Sequence, residues 1–143
     1  MISVEIYNHS KLSINHTATE ELINNVIKDY EVESGTINLV IIDDESLRKM
    51  KYEYFNQDYY TDVIAFNIEN SPFEGEIYIS SDRVEDNALQ YKQTTEEEMQ
   101  RVIIHGTLHL CGEEDQSEAQ KTRMESLEKF YLKKSSLSII NLP

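Results

Sequence analysis

Residues 101–115 contain two of the four histidines of this 143-residue chain, and their spacing constrains the fold more than any other feature. On an α-helix, His105 and His109 would project within ~40° of each other, because successive residues are rotated by about 100°. Gly112 follows three residues later, where a helix can end in a left-handed residue and the chain can turn back. Asp115 would then approach the two imidazoles. The pattern H-x3-H-x2-G-x2-D predicts a zinc site at the end of a helix, with one ion, three protein ligands and an open fourth position.

The alternative is that the two histidines are ordinary core or surface residues that bind no metal. The residues around them argue against this alternative. The helix is predicted to be buried on nearly all sides, because most of its other positions are apolar (Val102, Ile103, Ile104, Leu108 and Leu110). Imidazoles in such a helix need polar partners, and one metal ion would serve both. Gly106 costs a helix about 1 kcal/mol relative to alanine, which indicates close contact with a neighbouring element.

Length and composition predict one globular domain over residues 1–143. Hydrophobic residues make up 39% and charged residues 28% of the chain, as in ordinary globular proteins. The sequence begins without the basic and apolar regions of a signal peptide, and its longest aliphatic run, residues 39–42, is far too short to span a membrane. The single cysteine excludes an internal disulfide, so we expect a cytoplasmic protein with no membrane contact.

The charge argues against tight binding of free nucleic acid. Thirteen Lys and Arg residues stand against 27 Asp and Glu residues, a formal net charge of −14, whereas non-specific nucleic-acid binding requires a basic surface. Only a local patch could contact phosphate, and Arg48, Lys49 and Lys51 are the candidates for substrate binding. A second basic group lies near the C-terminus (Lys121, Arg123, Lys129, Lys133 and Lys134). The alternative for both groups is a solvated helix face.

The hydrophobic pattern predicts an α+β (α/β-like) fold. About four short strands are expected over residues 2–7, 36–42, 62–67 and 76–80, the second buried on both faces. About five helices are expected over residues 17–30, 46–55, 81–93, 94–111 and 117–134. Capping boxes are expected at Thr17–Glu20 and, for the fourth helix, at Thr94 or Thr95 with Glu97 or Glu98. Residues 68–75 are interpreted as a connection, and residues 135–143 as a tail of uncertain structure. Interleaved strands and helices favour one mixed sheet packed by helices.

The sequence does not identify a general base. Metalloproteases with the H-E-x-x-H motif have a glutamate directly after the first histidine, but Gly106 occupies that position here. Glu113 and Glu114 are the local candidates, and the alternative for each is a solvated loop carboxylate. Cys111 lies two residues beyond His109 and would point away from the histidine face, which favours a small buried residue over a fourth ligand.

Two sequence blocks together resemble a known family. The segment HGTLHLCGEED resembles the H-G-x-L-H-L-x-G-Y-D-H signature of the YbeY family, bacterial metal-dependent endoribonucleases of rRNA maturation. Residues 61–66 and 75–79 resemble the family's second block, T-D-V-(L/I)-(S/A)-F followed by G-(D/E)-I-x-I. The resemblance implies a mixed sheet packed by helices, and zinc bound in a cleft by His105, His109 and a third ligand.

Three positions depart from the family pattern. The family's usual third histidine falls at Asp115, which is an acceptable zinc ligand. The usual aromatic residue after the glycine falls at Glu113, which adds charge beside the site. An arginine that commonly precedes the second block falls at Phe55, so phosphate would have to be held by another residue.

The first hypothesis is a metal-dependent endoribonuclease that acts in small-subunit rRNA 3′-end processing and ribosome quality control. Because the protein is acidic, this hypothesis expects that its rRNA substrate is presented within the small ribosomal subunit, or through basic ribosomal proteins or an assembly GTPase. The second hypothesis is a zinc metallopeptidase-like hydrolase. The third is a non-catalytic ribosome-assembly factor in which the metal stabilises the fold.

Overall fold

The computed structural model describes residues 1–141 and confirms the predicted fold class: one mixed four-stranded sheet packed by five helices. The strands are β1 (Ile2–Asn8), β2 (Gly35–Ile42), β3 (Val63–Asn70) and β4 (Phe73–Ser80). The helices are α1 (His16–Ile27), α2 (Asp44–Phe55), α3 (Ser81–Gln90), α4 (Thr95–Leu110) and α5 (Glu118–Lys134). Within the described residues, every helix is too short or too polar to cross a membrane.

The sheet has the strand order β1-β2-β4-β3. β1 pairs with β2, and β2 with β4, in parallel, whereas β3 pairs with β4 in antiparallel orientation. The parallel pair β1–β2 requires a crossover, which α1 supplies. β3 therefore lies at an edge, and the histidine-bearing helix α4 packs against β3 and β4.

The core lies on one face of the sheet, beneath α1 and α4. Alternate side chains of the two central strands are fully buried there (Ile37, Leu39, Ile41, Ile77 and Ile79). The prediction that β2 is buried on both faces is wrong, because Asn38, Val40 and Ile42 on its other face are only half-buried. Helix α2 covers part of that second face, where Tyr54 and Phe55 contact Phe66 of β3.

The predicted connection over residues 68–75 is also wrong. β3 continues to Asn70 and β4 begins at Phe73, so only Ser71 and Pro72 join the two strands. Polar residues concealed this hairpin, because the last four residues of β3, 67–70, are exposed and pair with β4 through backbone hydrogen bonds. The pairing register shifts between residues 67 and 69, which also breaks the simple alternation of exposed and buried positions.

Helix α1 begins differently from the prediction. Its N-cap is Asn15, whose side chain accepts a hydrogen bond from the Ala18 N–H, so the capping box predicted at Thr17–Glu20 is wrong. The Glu20 carboxylate instead accepts a hydrogen bond from the Val4 N–H at 2.9 Å. It satisfies a backbone donor on the edge strand β1. Local sequence alone does not show whether a glutamate in the first turns of a helix caps that helix or bonds to another element.

Helix α4 begins as predicted and lies very close to the sheet. Thr94 and Glu97 form a capping box at its start. A Cβ atom added at Gly106 would lie 2.9 Å from Cγ2 of Ile77 and 3.3 Å from Cγ2 of Val63, closer than side chains normally approach. The predicted close contact at Gly106 is therefore confirmed, and the contacting elements are β3 and β4.

The segment after α5 returns to the body of the protein. Ile139 is fully buried, and Ile140 forms an antiparallel bridge with Ile14. The Glu96 carboxylate accepts hydrogen bonds from the N–H groups of both isoleucines, at 2.9 and 2.8 Å. The last two positions of the predicted tail, Leu142 and Pro143, lie outside the described residues.

Replacing Gly106 with alanine is expected to destabilise the fold by about 1–3 kcal/mol. At an exposed helix position the same change stabilises by about 1 kcal/mol, but here the new methyl group would press on the stiff, buried Ile77 side chain. Urea unfolding in the presence of EDTA would measure the effect without any contribution from metal. The Gly106→Ala, Ile77→Ala double variant should lose less stability than the sum of the single changes, and a more stable Gly106→Ala protein would contradict the close packing.

Candidate metal centre

Three potential ligand atoms converge at one end of a cleft. Nε2 of His105 lies 3.0 Å from Nε2 of His109, and Oδ2 of Asp115 lies 3.5 and 3.4 Å from these two nitrogens. Ligands around a tetrahedral zinc ion, with bonds of about 2.1 Å, are separated by about 3.4 Å. The three groups therefore fit around one small divalent ion, and they form a cluster that could hold a metal.

The end of α4 brings Asp115 to the histidines. Cys111 caps the helix, and Gly112 follows with a φ of +98°, the left-handed conformation predicted for it. The Gly112 N–H donates to the His109 carbonyl, and the Glu113 N–H donates to the Leu108 carbonyl, both at 3.0 Å. This is a Schellman motif, which satisfies the last helical carbonyls and reverses the chain.

Glu128 of α5 fixes the orientation of the first histidine, a role that the sequence interpretation missed. Nδ1 of His105 lies 2.6 Å from Oε2 of Glu128. The carboxylate accepts a hydrogen bond from the Nδ1–H group, which leaves the Nε2 lone pair directed at the cluster. The signal was present in the sequence, because Glu128 lies between Met124 and Tyr131 on the buried face of α5. A carboxylate at a core position needs a partner.

Arg101 joins Glu128 to two further carboxylates. Its guanidinium lies 3.1 Å from Glu128, 2.8 Å from Glu98 and 3.0 Å from Asp62. The hydrogen bond that Arg101 donates to Glu98 is the main cause that raises the pKa of Arg101. One guanidinium thus faces three carboxylates, with Asp115 nearby, and this excess of negative charge favours a bound cation.

The two glutamates that follow Gly112 have different surroundings. Glu113 accepts hydrogen bonds from Arg123, at 2.9 and 3.0 Å, and from the Tyr30 hydroxyl at 2.7 Å. The hydrogen bond from Arg123 is the main cause that lowers the pKa of Glu113. Glu114 is exposed and lines the cleft that contains the histidines.

Cys111 is not among the converging groups. Its side chain is half-buried, so the predicted burial is only partly met. Desolvation raises the pKa of its thiol to about 12. A thiol that stays protonated is a poor metal ligand, because metal ions bind the thiolate.

The cleft beside the cluster has a volume of about 740 Å³. Of the predicted substrate-binding residues, Lys51 lines this cleft, whereas Arg48 and Lys49 line a separate depression. Arg48 is also paired with Asp58, at 2.7 Å. Among the described residues that line the cleft, Lys51 is the sole lysine or arginine.

Phe55, at the position where the family usually has arginine, also lines the cleft. Its ring stacks on Phe66, with the centroids 5.8 Å apart and the planes at 11°. The Lys51 ammonium lies 4.8 Å from the centroid of Phe55 and 5.4 Å from that of Tyr59. The positive charge of the cleft is therefore carried by Lys51, one helical turn before residue 55.

Comparison with known proteins identifies close relatives along most of the chain. The family model described as Endoribonuclease YbeY matches residues 5–136. The protein named Endoribonuclease YbeY from Flavobacterium johnsoniae is 41% identical over 115 residues, which cover 80% of this chain and 83% of the relative. Its counterpart from Chlorobium phaeobacteroides is 33% identical over 132 residues, covering 92% and 93%. The solution structure of a Thermotoga maritima protein shares the fold, with a TM-score of 0.61 and 23% identity over 92% of this chain and 90% of that one.

Replacing Glu128 with glutamine is expected to weaken the binding of divalent transition metals about 10- to 100-fold. The neutral amide is a weaker acceptor for the Nδ1–H group of His105, so the ring is held less firmly in its preferred tautomer and orientation. Competition with a chromophoric chelator would measure the affinity. Glu125→Gln is the matched control, since Glu125 is exposed on the same helix, and equal affinities of the two variants would contradict the role of Glu128.

Proposed function

This chain belongs to the YbeY family, and we propose that it is a metal-dependent endoribonuclease of rRNA maturation, active in small-subunit rRNA 3′-end processing and ribosome quality control. The observation that carries the proposal is the convergence of two imidazoles and one carboxylate in a cleft. Residues 1–143 are proposed to form one metallohydrolase domain around this centre.

We propose Zn²⁺, one ion per chain, as the metal, with His105, His109 and Asp115 as its ligands. Two nitrogens and one carboxylate oxygen are a donor set that zinc accepts, and three protein ligands leave a position open for catalysis. When bound, zinc supplies Lewis-acid chemistry, which lowers the pKa of water and polarises a phosphoryl oxygen. The fit of the ligand separations to a tetrahedral ion supports this assignment.

The protein's own groups divide the remaining tasks. Glu128 orients His105, and the Arg101 guanidinium pairs with Glu128 and holds its carboxylate in place. Glu114 is the proposed general base, because it lines the cleft and is free of the ion pair that holds Glu113. A general base must reach the proton that it removes, which favours Glu114 on geometry.

The proposed substrate is rRNA within the small ribosomal subunit. Lys51 is proposed to contact a phosphate of the strand, whereas Arg48 and Lys49 lie outside the cleft and would contribute only to long-range attraction. A net charge of −14 opposes capture of free RNA. The proposed partners that present the strand are therefore basic ribosomal proteins or an assembly GTPase.

The two alternatives are less well supported. A zinc peptidase of the H-E-x-x-H class needs a glutamate where this chain has Gly106, and Gly106 lies against the sheet with no room for a side chain. A non-catalytic assembly factor would not need an open cleft beside the metal ligands, yet the histidines line one. Both the family model and the relatives carry the name of an endoribonuclease.

His109→Ala is expected to lower the cleavage of precursor small-subunit rRNA, within subunits, by at least about 100-fold, and to lose bound zinc. Loss of a residue that only orients a metal ligand lowers metal affinity or activity about 10- to 100-fold. Loss of a ligand itself should lower them further. His9→Ala is the control, because His9 is exposed and lies outside the cluster. Gel analysis of the cleaved rRNA and metal analysis of the same preparations would measure both quantities.

Each outcome of that comparison has a distinct meaning. Loss of cleavage together with zinc, in a protein whose circular dichroism still shows a folded chain, supports the endoribonuclease. Equal cleavage by wild type and His109→Ala would contradict it and indicate a contaminating nuclease. If His109→Ala does not fold, Asp115→Asn provides the same test, since Asp115 lies on a loop beyond the helix.

Lys51→Met is expected to raise the KM for RNA roughly fivefold, the order of one solvent-exposed ion pair, and to reduce the slope of log affinity against log salt by about one. The matched control is Lys49→Met, which changes the net charge equally but removes a lysine outside the cleft. Kinetics at several salt concentrations would separate the two variants. Indistinguishable effects would show that Lys51 acts only through the overall charge.

A further inference from the structure

Exposed aromatic rings are concentrated beside the cleft. Eleven large hydrophobic side chains are exposed among the described residues, and five of them fall within the nine positions 52–60 (Tyr52, Tyr54, Phe55, Tyr59 and Tyr60). Isolated exposed aromatic residues need no explanation, but a concentration at a functional cleft indicates a binding surface. Two of the five, Phe55 and Tyr59, line the cleft that contains the histidine cluster.

Local geometry explains how these two rings meet one ammonium group. Lys51 and Phe55 are four residues apart on α2 and therefore share a helix face. Asn56 ends the helix in the left-handed conformation, with a φ of 54°, and reverses the chain direction. Tyr59 then lies back against Lys51, whose ammonium is 4.8 and 5.4 Å from the centroids of the two rings. Cation–π attraction holds the ammonium between them.

The two rings differ in their support. Phe55 is anchored, because it stacks on Phe66, which also contacts Tyr54 and Tyr78 edge-on. Tyr59 is 51% exposed, and its hydroxyl donates a hydrogen bond to the neighbouring Gln57 side chain at 3.0 Å. Phe55 is thus built to position Lys51, whereas Tyr59 offers an aromatic surface to the contents of the cleft.

We propose that Lys51, Phe55 and Tyr59 form a binding subsite for one unstacked nucleotide of an RNA strand. The nucleobase stacks on Tyr59, the adjacent phosphate contacts the Lys51 ammonium, and Phe55 acts as a positioning residue that holds Lys51 in place. This proposal rests on the proposed function, because the subsite lies in the same cleft as the metal ligands.

Stacking suits the charge of this protein. Each phosphate of an RNA strand is repelled by an acidic surface, and the cleft itself is lined by Asp62, Glu114 and Asp115. The π-face of a base carries no net charge, so its contact with Tyr59 is insensitive to that repulsion. A subsite that combines one cation with one stacking ring therefore gains affinity where a purely electrostatic site would gain little.

The test is a double-mutant cycle between the protein and the RNA. Fluorescence anisotropy would measure the binding of a short single-stranded RNA to the zinc-loaded protein, with an abasic nucleotide placed at each position in turn. The proteins are wild type, Tyr59→Leu and the control Tyr52→Leu. Tyr52 is a matched control because it is 57% exposed and belongs to the same segment but lines the separate depression. A denaturing gel after each titration checks that the strand is intact.

We expect that one abasic position weakens binding to wild type and Tyr52→Leu roughly tenfold, the order of one base–aromatic stack. Tyr59→Leu should bind the intact strand roughly tenfold more weakly and be insensitive to the same abasic position. An abasic effect of equal size in Tyr59→Leu and wild type would overturn the stacking role. An intact-strand affinity of Tyr59→Leu equal to that of wild type would overturn the subsite.

The positioning role of Phe55 has its own readout. Phe55→Leu should reduce the salt dependence of binding by about one unit of slope, as Lys51→Met does, and Phe55→Tyr should restore it because the tyrosine ring keeps the cation–π contact. The Phe55→Leu, Lys51→Met double variant should show no further reduction. An unchanged slope in Phe55→Leu would overturn this role, and thermal melting of each variant separates it from loss of the Phe66 contact.

Binding and cleavage distinguish the failure of this proposal from that of the proposed function. Base-dependent binding through Tyr59 without any RNA cleavage by the zinc-loaded protein would support the subsite and contradict the endoribonuclease. Zinc-dependent cleavage that is unaffected by Tyr59→Leu, with no abasic effect, would support the endoribonuclease and overturn the subsite.

Discussion

The close approach of α4 to the sheet determines where the two histidines of the cleft lie. Two glycines make this approach possible: a Cβ at Gly106 would press on Ile77, and a Cβ at Gly75 would lie 2.7 Å from Cδ1 of Leu110. The end of the helix is also tied to the edge strand, because the Asn67 side chain donates a hydrogen bond to the Leu110 carbonyl. Packing at this density leaves the helix no freedom to slide. The two histidines therefore occupy fixed positions beside β3, and the reversal at Gly112 delivers the carboxylate to them.

A partly buried network of charges also constrains this site. Arg101 faces Glu98, Asp62 and Glu128, and Glu128 in turn accepts a hydrogen bond from His105. Such a network is costly to bury unless every member is paired, and one guanidinium leaves it negative. A divalent ion held by the histidine cluster would offset this charge. Metal binding would therefore be coupled to fold stability, since the helices α4 and α5 meet through Arg101, Glu128 and His105.

Local patterns predicted the parts of this molecule that local forces determine. Helix geometry predicted that the two histidines share a face and that Gly112 is left-handed. The free-energy cost of glycine within a helix predicted the close contact at Gly106. The β3–β4 hairpin was missed because its pairing lies in backbone hydrogen bonds at an exposed edge. Glu128 was missed for a different reason: its partner lies 23 residues away in the chain. No periodicity specifies which buried carboxylate meets which imidazole.

The departures from the family pattern become consistent when their charges are considered together. A carboxylate at position 115 in place of a neutral imidazole lowers the charge of the proposed metal centre by one, so the centre attracts phosphate less strongly. Glu113 adds another negative charge, but Arg123 neutralises it and draws it toward Tyr30. Phe55 removes a cation from the cleft wall, yet its ring holds the Lys51 ammonium there. In the proposed site, strand binding therefore shifts from metal and arginine toward one lysine and an aromatic surface, a combination that an acidic protein can maintain without attracting polyanions indiscriminately.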